Sequence, residues 1–152
     1  MRRLVVLAAS VAALALPADA AATSTYDVRV VGAEVPPITS SLGTFVGASE
    51  GPVGAWRIQI VHQPLRTGPT VSITGGSLWL ALRTGATLRS AVVGGSVSVE
   101  SRGAGCANQV YGVRVALANG SFAGTLTHRR ASLLGHCVIY AATITGRATL
   151  TA

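Results

Sequence analysis

The chain contains no lysine, and aromatic residues make up only 5% of its 152 positions. Acids are also scarce, at 5 against 12 basic residues, so the formal net charge is +7. Few acids leave little material for paired-carboxylate catalysis, and no GxSxG turn offers an activated nucleophile. Few aromatics argue against base stacking on a basic face. The composition therefore favours a non-enzymatic protein and indicates no specific nucleic-acid partner.

Cysteine is limited to Cys106 and Cys137, and the chain has no CxxC, HxH or HExxH motif. An even pair of cysteines in an exported protein most often forms a disulfide. We therefore expect a Cys106–Cys137 disulfide. No cofactor and no metal ligand set is predicted from these spacings.

The first residues have the features of a secretory signal peptide. A basic pair, Arg2 and Arg3, precedes an apolar run over 4–16, and an A-x-A cleavage site follows at 18–20. A spanning helix needs about 20 apolar residues, which this run does not reach. We expect a signal peptide over 1–20, a mature form without a membrane span, and a bacterial secreted, extracellular or periplasmic protein.

The remaining chain, 21–152, is expected to be a single all-β domain. It shows alternating apolar and polar residues and turn signals rather than a helical period. The predicted strands are 26–32, 42–48, 54–62, 71–83, 87–101, 108–118, 121–130 and 137–151. Successive hairpins predict an eight-stranded antiparallel up-and-down barrel, with a β-sandwich as the alternative.

Two features of the strands bear on how they join and bend. Asn119-Gly120 stands between two alternating runs, which predicts a type I′ hairpin. Gly75-Gly76 and Gly94-Gly95 lie inside predicted strands. Glycine pairs there indicate bulges or bends where a sheet curves or closes.

Alternation also assigns side chains to the two faces of the sheet. Arginine falls on the outer face of several strands, where its stem covers apolar surface and its charge stays in water. The inner set is mainly aliphatic and includes Tyr111 and Tyr140. An eight-stranded barrel is either filled by such side chains or holds one small ligand, and the pattern leaves both possibilities open.

Alternate connections of an up-and-down barrel lie at the same end. The longer connections, 33–41, 63–70, 102–107 and 131–136, therefore share one end, which we call the mouth. Polar side chains on loops and strand ends held by a rigid scaffold are the usual binding groups. The candidate binding residues at the mouth are His62, His128, Arg130, His136, Glu34, Asn108 and Gln109.

These observations leave three functions open. The first is a non-enzymatic barrel that binds a small apolar or amphipathic molecule at the mouth. The second is a structural or interaction protein of the cell envelope, whose basic outer face binds an anionic cell-surface polymer. The third is a metal-dependent enzyme with a histidine site at the mouth.

Overall fold

A computed structural model of the chain describes residues 24–35, 39, 41–64 and 68–152. The predicted signal peptide over 1–20 lies outside the described residues. Within the described ranges, no helix has the length and apolarity needed to cross a membrane.

Eight strands follow one another along the chain, as the alternation predicted. Their bounds are β1 Thr25–Glu34, β2 Leu42–Ser49, β3 Val53–His62, β4 Thr70–Leu82, β5 Thr87–Ser101, β6 Gln109–Leu117, β7 Gly120–Leu133 and β8 His136–Thr151.

Each strand pairs antiparallel with the next, and β1 pairs with β8, so the sheet closes into a barrel. The β1–β8 ladder runs from Thr25 opposite Thr151 to Ala33 opposite Thr143. The predicted eight-stranded up-and-down barrel is confirmed, and the sandwich alternative is wrong. This order places the β1–β2, β3–β4 and β5–β6 connections and the β7–β8 turn together at the mouth.

The barrel interior is packed with side chains. Every second residue of each strand points inward, because successive side chains of a strand alternate between its faces. The largest fully buried side chains are Trp56, Phe122, Ile58, Leu78, Leu80, Ile144 and Leu150. The arginines at 29, 57, 114 and 147 lie exposed on the outer wall, as expected.

The glycine pairs mark bends in β4 and β5, which confirms the prediction. Gly76 has φ +133° and Gly95 has φ +138°, a region that residues with a Cβ rarely adopt. A Cβ on Gly76 would lie 1.9 Å from the carbonyl oxygen of Gln59 on β3. The strand register also shifts beside each pair. The two strands bend here because their backbone approaches the neighbouring strand more closely than a side chain allows.

The predicted type I′ turn at Asn119-Gly120 is wrong. Leu117 pairs with Gly120, so the two-residue loop is Ala118-Asn119, and neither Asn119 nor Gly120 has a positive φ. The Asn119 side-chain amide instead donates to the Thr151 carbonyl oxygen at 2.7 Å. Asn119 thus joins this turn to the end of β8.

The predicted loop over 131–136 is replaced by a longer hairpin. The ladder continues from Ala131 opposite Val138 to Leu133 opposite His136. A tight turn of Leu134 (φ 50°) and Gly135 (φ 79°) then joins the strands. The ladder shifts register between Arg129 and Arg130, which leaves Tyr140 unpaired and 62% exposed. Tyr140 was expected in the core, but it lies in the part of the hairpin where every side chain from Ala131 to Tyr140 is exposed.

We expect Gly76→Ala to lower the free energy of unfolding by about 2 kcal/mol or more, because the methyl group meets backbone and the φ is unfavourable. Gly75→Ala is the matched control, since nothing lies within 4 Å of its Cβ position. The control should change stability by less than about 1 kcal/mol. Urea unfolding of both variants measures the difference, and equal stabilities would contradict the bend described here.

Candidate functional site

A small cavity lies at the mouth end of the barrel interior. Its volume is about 30 Å³. Most of its wall is apolar, formed by Phe45, Ile60, Val97, Val113 and Leu126. Its polar lining comes from Glu34, Thr39, His62 and His128. Polar groups therefore meet an apolar interior at this one end.

Strand alternation brings the three titratable groups together. Glu34 ends β1 and His62 ends β3, each continuing the inward-facing set of its strand. His128 follows Leu126 on the inner face of β7. Since these strand segments all reach the mouth, their inward side chains converge at the end of the packed core.

Glu34 and His128 are neighbours without a direct hydrogen bond. His128 Nε2 lies 3.9 Å from Glu34 Oε2, beyond hydrogen-bonding distance. The side chain of His128 is 11% exposed and that of Glu34 is 4% exposed. Glu34 Oε2 and His128 Nδ1 are buried and have no hydrogen-bond partner among the described residues. Buried polar atoms usually have partners, so these two mark a place for a further hydrogen-bonding group.

Burial favours the neutral form of both groups. It raises the pKa of Glu34 from 4.5 to about 7. Burial also lowers the pKa of His128, and the nearby His62 lowers it further. A buried carboxyl and a buried imidazole lose hydration when charged, and the 3.9 Å contact does not compensate for it. Below about pH 7 the pair is therefore mainly a protonated carboxylic acid beside an uncharged imidazole, once the pH also exceeds the lowered pKa of His128.

His62 lines the same cavity as this pair, and Tyr111 contacts His128. The Nδ1 of His62 donates to the carbonyl oxygen of Gln63 at 2.7 Å, which orients the ring. The ring of Tyr111 meets that of His128 edge to face, with centroids 5.1 Å apart. The Tyr111 hydroxyl donates to Gln109 Oε1 at 3.0 Å. Gln109, a sequence candidate, thus acts by positioning Tyr111.

Asn108 and Arg130 brace the β5–β6 connection rather than line the cavity. The backbone amide of Arg130 donates to Asn108 Oδ1 at 3.4 Å. The Arg130 guanidinium donates to the carbonyl oxygens of Arg102 and Ala107. The structure therefore places Arg130 at the mouth but ties it to the adjacent loop. His136 lies exposed beside the β7–β8 turn, outside the cavity.

The disulfide joins the same loop to the hairpin. Cys106 and Cys137 are bonded, with Cα atoms 5.3 Å apart. This confirms the predicted pair and is compatible with an oxidising extracellular or periplasmic location. With a sequence separation of 31 between the cysteines, the link is worth about 3–4 kcal/mol in the chain-entropy model. The disulfide thus holds the β5–β6 connection to the start of β8.

One surface feature was missed at the sequence level. Trp79 points outward between two arginines, with Arg57 opposite it on β3 and Arg89 opposite it on β5. With Ser77 and Leu78 they line a shallow concavity of about 490 Å³. Alternation contained the signal, because Leu78 and Leu80 point inward and the residue between them must point outward.

In the part of the chain that the structure describes, no three His, Cys, Asp or Glu side chains are grouped to hold a metal ion. Comparisons with protein-family models, curated proteins and solved structures found no match. Function is therefore inferred from the site alone.

We expect the contribution of Glu34 to stability to fall as the pH rises from about 4.5 to about 7, because the folded state keeps a proton on Glu34 that the unfolded state releases. His128, whose pKa is lowered, contributes a slope of the opposite sign below 6.5, so the Glu34 part is obtained by comparison with a variant. The raised pKa corresponds to at most about 3 kcal/mol. Glu34→Gln should remove this part of the pH dependence. Urea unfolding at about pH 5 and about pH 8 measures it.

Glu100→Gln is the control, because Glu100 is an exposed carboxylate on β5. It should retain the pH dependence of the unmodified protein. If Glu34→Gln and Glu100→Gln kept the same difference between the two pH values, Glu34 would not be the buried acid described here.

Proposed function

We propose that the protein is an exported, non-enzymatic barrel that binds a small neutral amphipathic molecule at its mouth. One observation carries this proposal: Glu34 Oε2 and His128 Nδ1 are buried and have no hydrogen-bond partner among the described residues, and both residues line a mainly apolar cavity. A ligand that supplies a hydrogen-bonding group there and an alkyl group inside would satisfy both parts of the site.

The charge state of the rim favours a neutral ligand. With Glu34 protonated and His128 uncharged, the rim offers both hydrogen-bond donors and acceptors. A hydroxyl group, which donates and accepts, matches it. A carboxylate or an ammonium group would have to give up its hydration beside groups that are themselves uncharged by burial.

The size of the cavity limits the buried part of the ligand. A water molecule occupies about 10–15 Å³ by the same measure, so a cavity of about 30 Å³ accepts only a short alkyl segment. We therefore infer a ligand that carries a hydroxyl group on a short chain, whose alkyl end lies against Phe45, Ile60 and Leu126.

Export is part of this proposal. The basic pair, short apolar run and A-x-A site at the start of the chain have the pattern of a secretory signal peptide. The Cys106–Cys137 disulfide supports an oxidising compartment. The ligand would then be met outside the cytoplasm.

We expect 1-propanol and 1-butanol to bind at the mouth with millimolar affinity, the range open to ligands of so few atoms. Titration of the isotopically labelled protein should shift the amide resonances of Phe45, Ile60 and Leu126. His128→Phe, which removes the polar atoms and keeps a ring, should weaken binding at least fivefold.

His136→Phe is the matched control, since it makes the same substitution at an exposed site outside the cavity. It should bind the alcohols like the unmodified protein. Unchanged resonances throughout the titration, or equal weakening by the two substitutions, would contradict a binding site at the mouth.

The row of Arg57, Trp79 and Arg89 supports a second candidate function, the binding of an anionic polymer. Guanidinium groups recognise carboxylate, sulfate or phosphate groups, and an indole offers a flat surface between them. The three side chains share one outer concavity across β3, β4 and β5. A linear polyanion could follow this row without entering the barrel.

We expect the double variant Arg57→Gln/Arg89→Gln to elute from a heparin column at clearly lower salt than the unmodified protein. Arg29→Gln/Arg114→Gln removes the same charge from outer positions that have no aromatic partner opposite. It should shift elution less. Equal shifts would mean that net charge alone governs retention, and the row would not be a site.

A further inference from the structure

The β7–β8 hairpin extends beyond the rest of the barrel. Toward the mouth, the pairing of β7 with β6 stops at His128, and the pairing of β8 with β1 stops at Thr143. Past these points the two strands pair only with each other, up to the turn at Leu134-Gly135. All side chains from Ala131 to Tyr140 are exposed, so this segment stands clear of the barrel wall.

The projecting segment is apolar at its end. Leu133 is 58% exposed and Leu134, at the turn itself, is 92% exposed. The register puts Val138 on the same face as Leu133, and Tyr140 at the bulge is 62% exposed. Exposed apolar residues that are contiguous, rather than scattered singly, usually mark an interaction site.

The turn carries a residue that its backbone does not favour. Leu134 has φ 50°, and it is the one residue other than glycine with a positive φ among those the structure describes. Asn, Asp or Gly normally occupies such a position, because a bulky side chain is strained there. A leucine at the most exposed point of a strained turn stabilises neither the turn nor a core. It therefore indicates a role in contact with something outside the molecule.

The base of the hairpin is rigid. The disulfide from Cys137 to Cys106 ties it to the β5–β6 connection. The Arg130 guanidinium donates to two carbonyl oxygens of that connection. The apolar end is thus presented in one orientation, which lowers the entropy lost on docking.

Positive charge lies behind the apolar end. Arg102 and Arg129 are exposed near the base of the hairpin, and Arg130 lies beside them. Leu134 is four positions along the chain from Arg130, about 13 Å along an extended strand. At this end of the barrel Glu100 is the exposed carboxylate among the described residues, so the positive charge is largely uncompensated.

This spacing matches the layers of a lipid surface. Peripheral apolar segments bury about 5–10 Å into the boundary between headgroups and acyl chains. With Leu133 and Leu134 at that depth, the arginines reach the level of the phosphates, where each contributes to binding of anionic lipid. Tyr140 lies level with Arg129 and Arg130, because it is the extra residue between their partners Ala141 and Ile139. It would thus stand at the headgroup level, where Tyr is enriched in membrane proteins.

We propose that the β7–β8 hairpin docks the protein on an anionic phospholipid surface, with Leu133 and Leu134 inserted among the lipids and Arg102, Arg129 and Arg130 on the headgroups. The contact is peripheral and reversible. It does not depend on the small ligand proposed for the mouth, because the hairpin end lies outside the cavity.

The test is sedimentation of the oxidised, mature-length protein with vesicles of phosphatidylcholine, with and without phosphatidylglycerol. The unmodified protein should bind the anionic vesicles and bind much less to those of phosphatidylcholine alone. Leu133→Ser/Leu134→Ser should lower the partition coefficient at least tenfold. Val31→Ser/Val93→Ser is the matched control, since these valines are 54% and 63% exposed on the barrel wall, and it should bind normally.

A second pair of variants tests the charge. Arg102→Gln/Arg129→Gln should lower binding to anionic vesicles and weaken its salt dependence, whereas Arg57→Gln/Arg89→Gln removes the same charge elsewhere and should have a smaller effect. In a third experiment, Leu134→Trp should show a blue shift of its fluorescence with anionic vesicles and quenching by lipids brominated near the headgroup.

Three results would overturn the proposal. The leucine variant could bind like the unmodified protein, or the two arginine variants could lose binding equally. The protein could also fail to bind vesicles while the leucine variant alone changes its oligomeric state, which would make the hairpin a self-association surface. Circular dichroism of each variant confirms that the substitutions at exposed positions leave the barrel folded.

Discussion

Closure of the sheet through the β1–β8 ladder is the constraint on which the rest of the structure depends. A closed sheet has a single interior, and each strand must contribute every second side chain to fill it. The bends at Gly76 and Gly95 let β4 and β5 follow the curvature this requires. Because the interior is packed with aliphatic and aromatic groups, inward polar side chains find room only where the strands end.

That location gives the mouth its chemistry. Glu34 and His128 continue the inward-facing positions at the mouth end of their strands, so they are buried without a hydrogen bond between them, and Glu34 Oε2 and His128 Nδ1 have no partner in the described part of the chain. Burial, more than attraction between them, decides their protonation, and both favour the neutral form. A wet barrel mouth with the same residues would instead hold an ionised carboxylate. The packing of the core therefore sets the chemistry of the candidate site, because burial shifts the pKa of both groups.

Alternation in the sequence was sufficient to predict the strands and the closed barrel, and the even pair of cysteines in an exported chain predicted the disulfide. Predictions from alternation were wrong where a register shift or a turn interrupts the alternation of side chains between the two faces. Tyr140 is exposed at a register shift in the projecting hairpin, and no residue type in its neighbourhood signals this shift. The turn at Asn119 depends on a contact with the distant Thr151. The length of the β7–β8 hairpin likewise depends on cross-strand pairing, because Leu134 is an unfavourable turn residue by local preference.

The central claim is that Glu34 is a buried acid held neutral beside an uncharged His128. The most direct test is a carbon-13 NMR titration of the Glu34 carboxyl carbon, assigned by comparison with Glu34→Gln. The account predicts a midpoint near 7, far above the ordinary value of 4.5. A midpoint at or below that ordinary value would mean an ionised, hydrated or ion-paired carboxylate, and would contradict the neutral site at the barrel mouth.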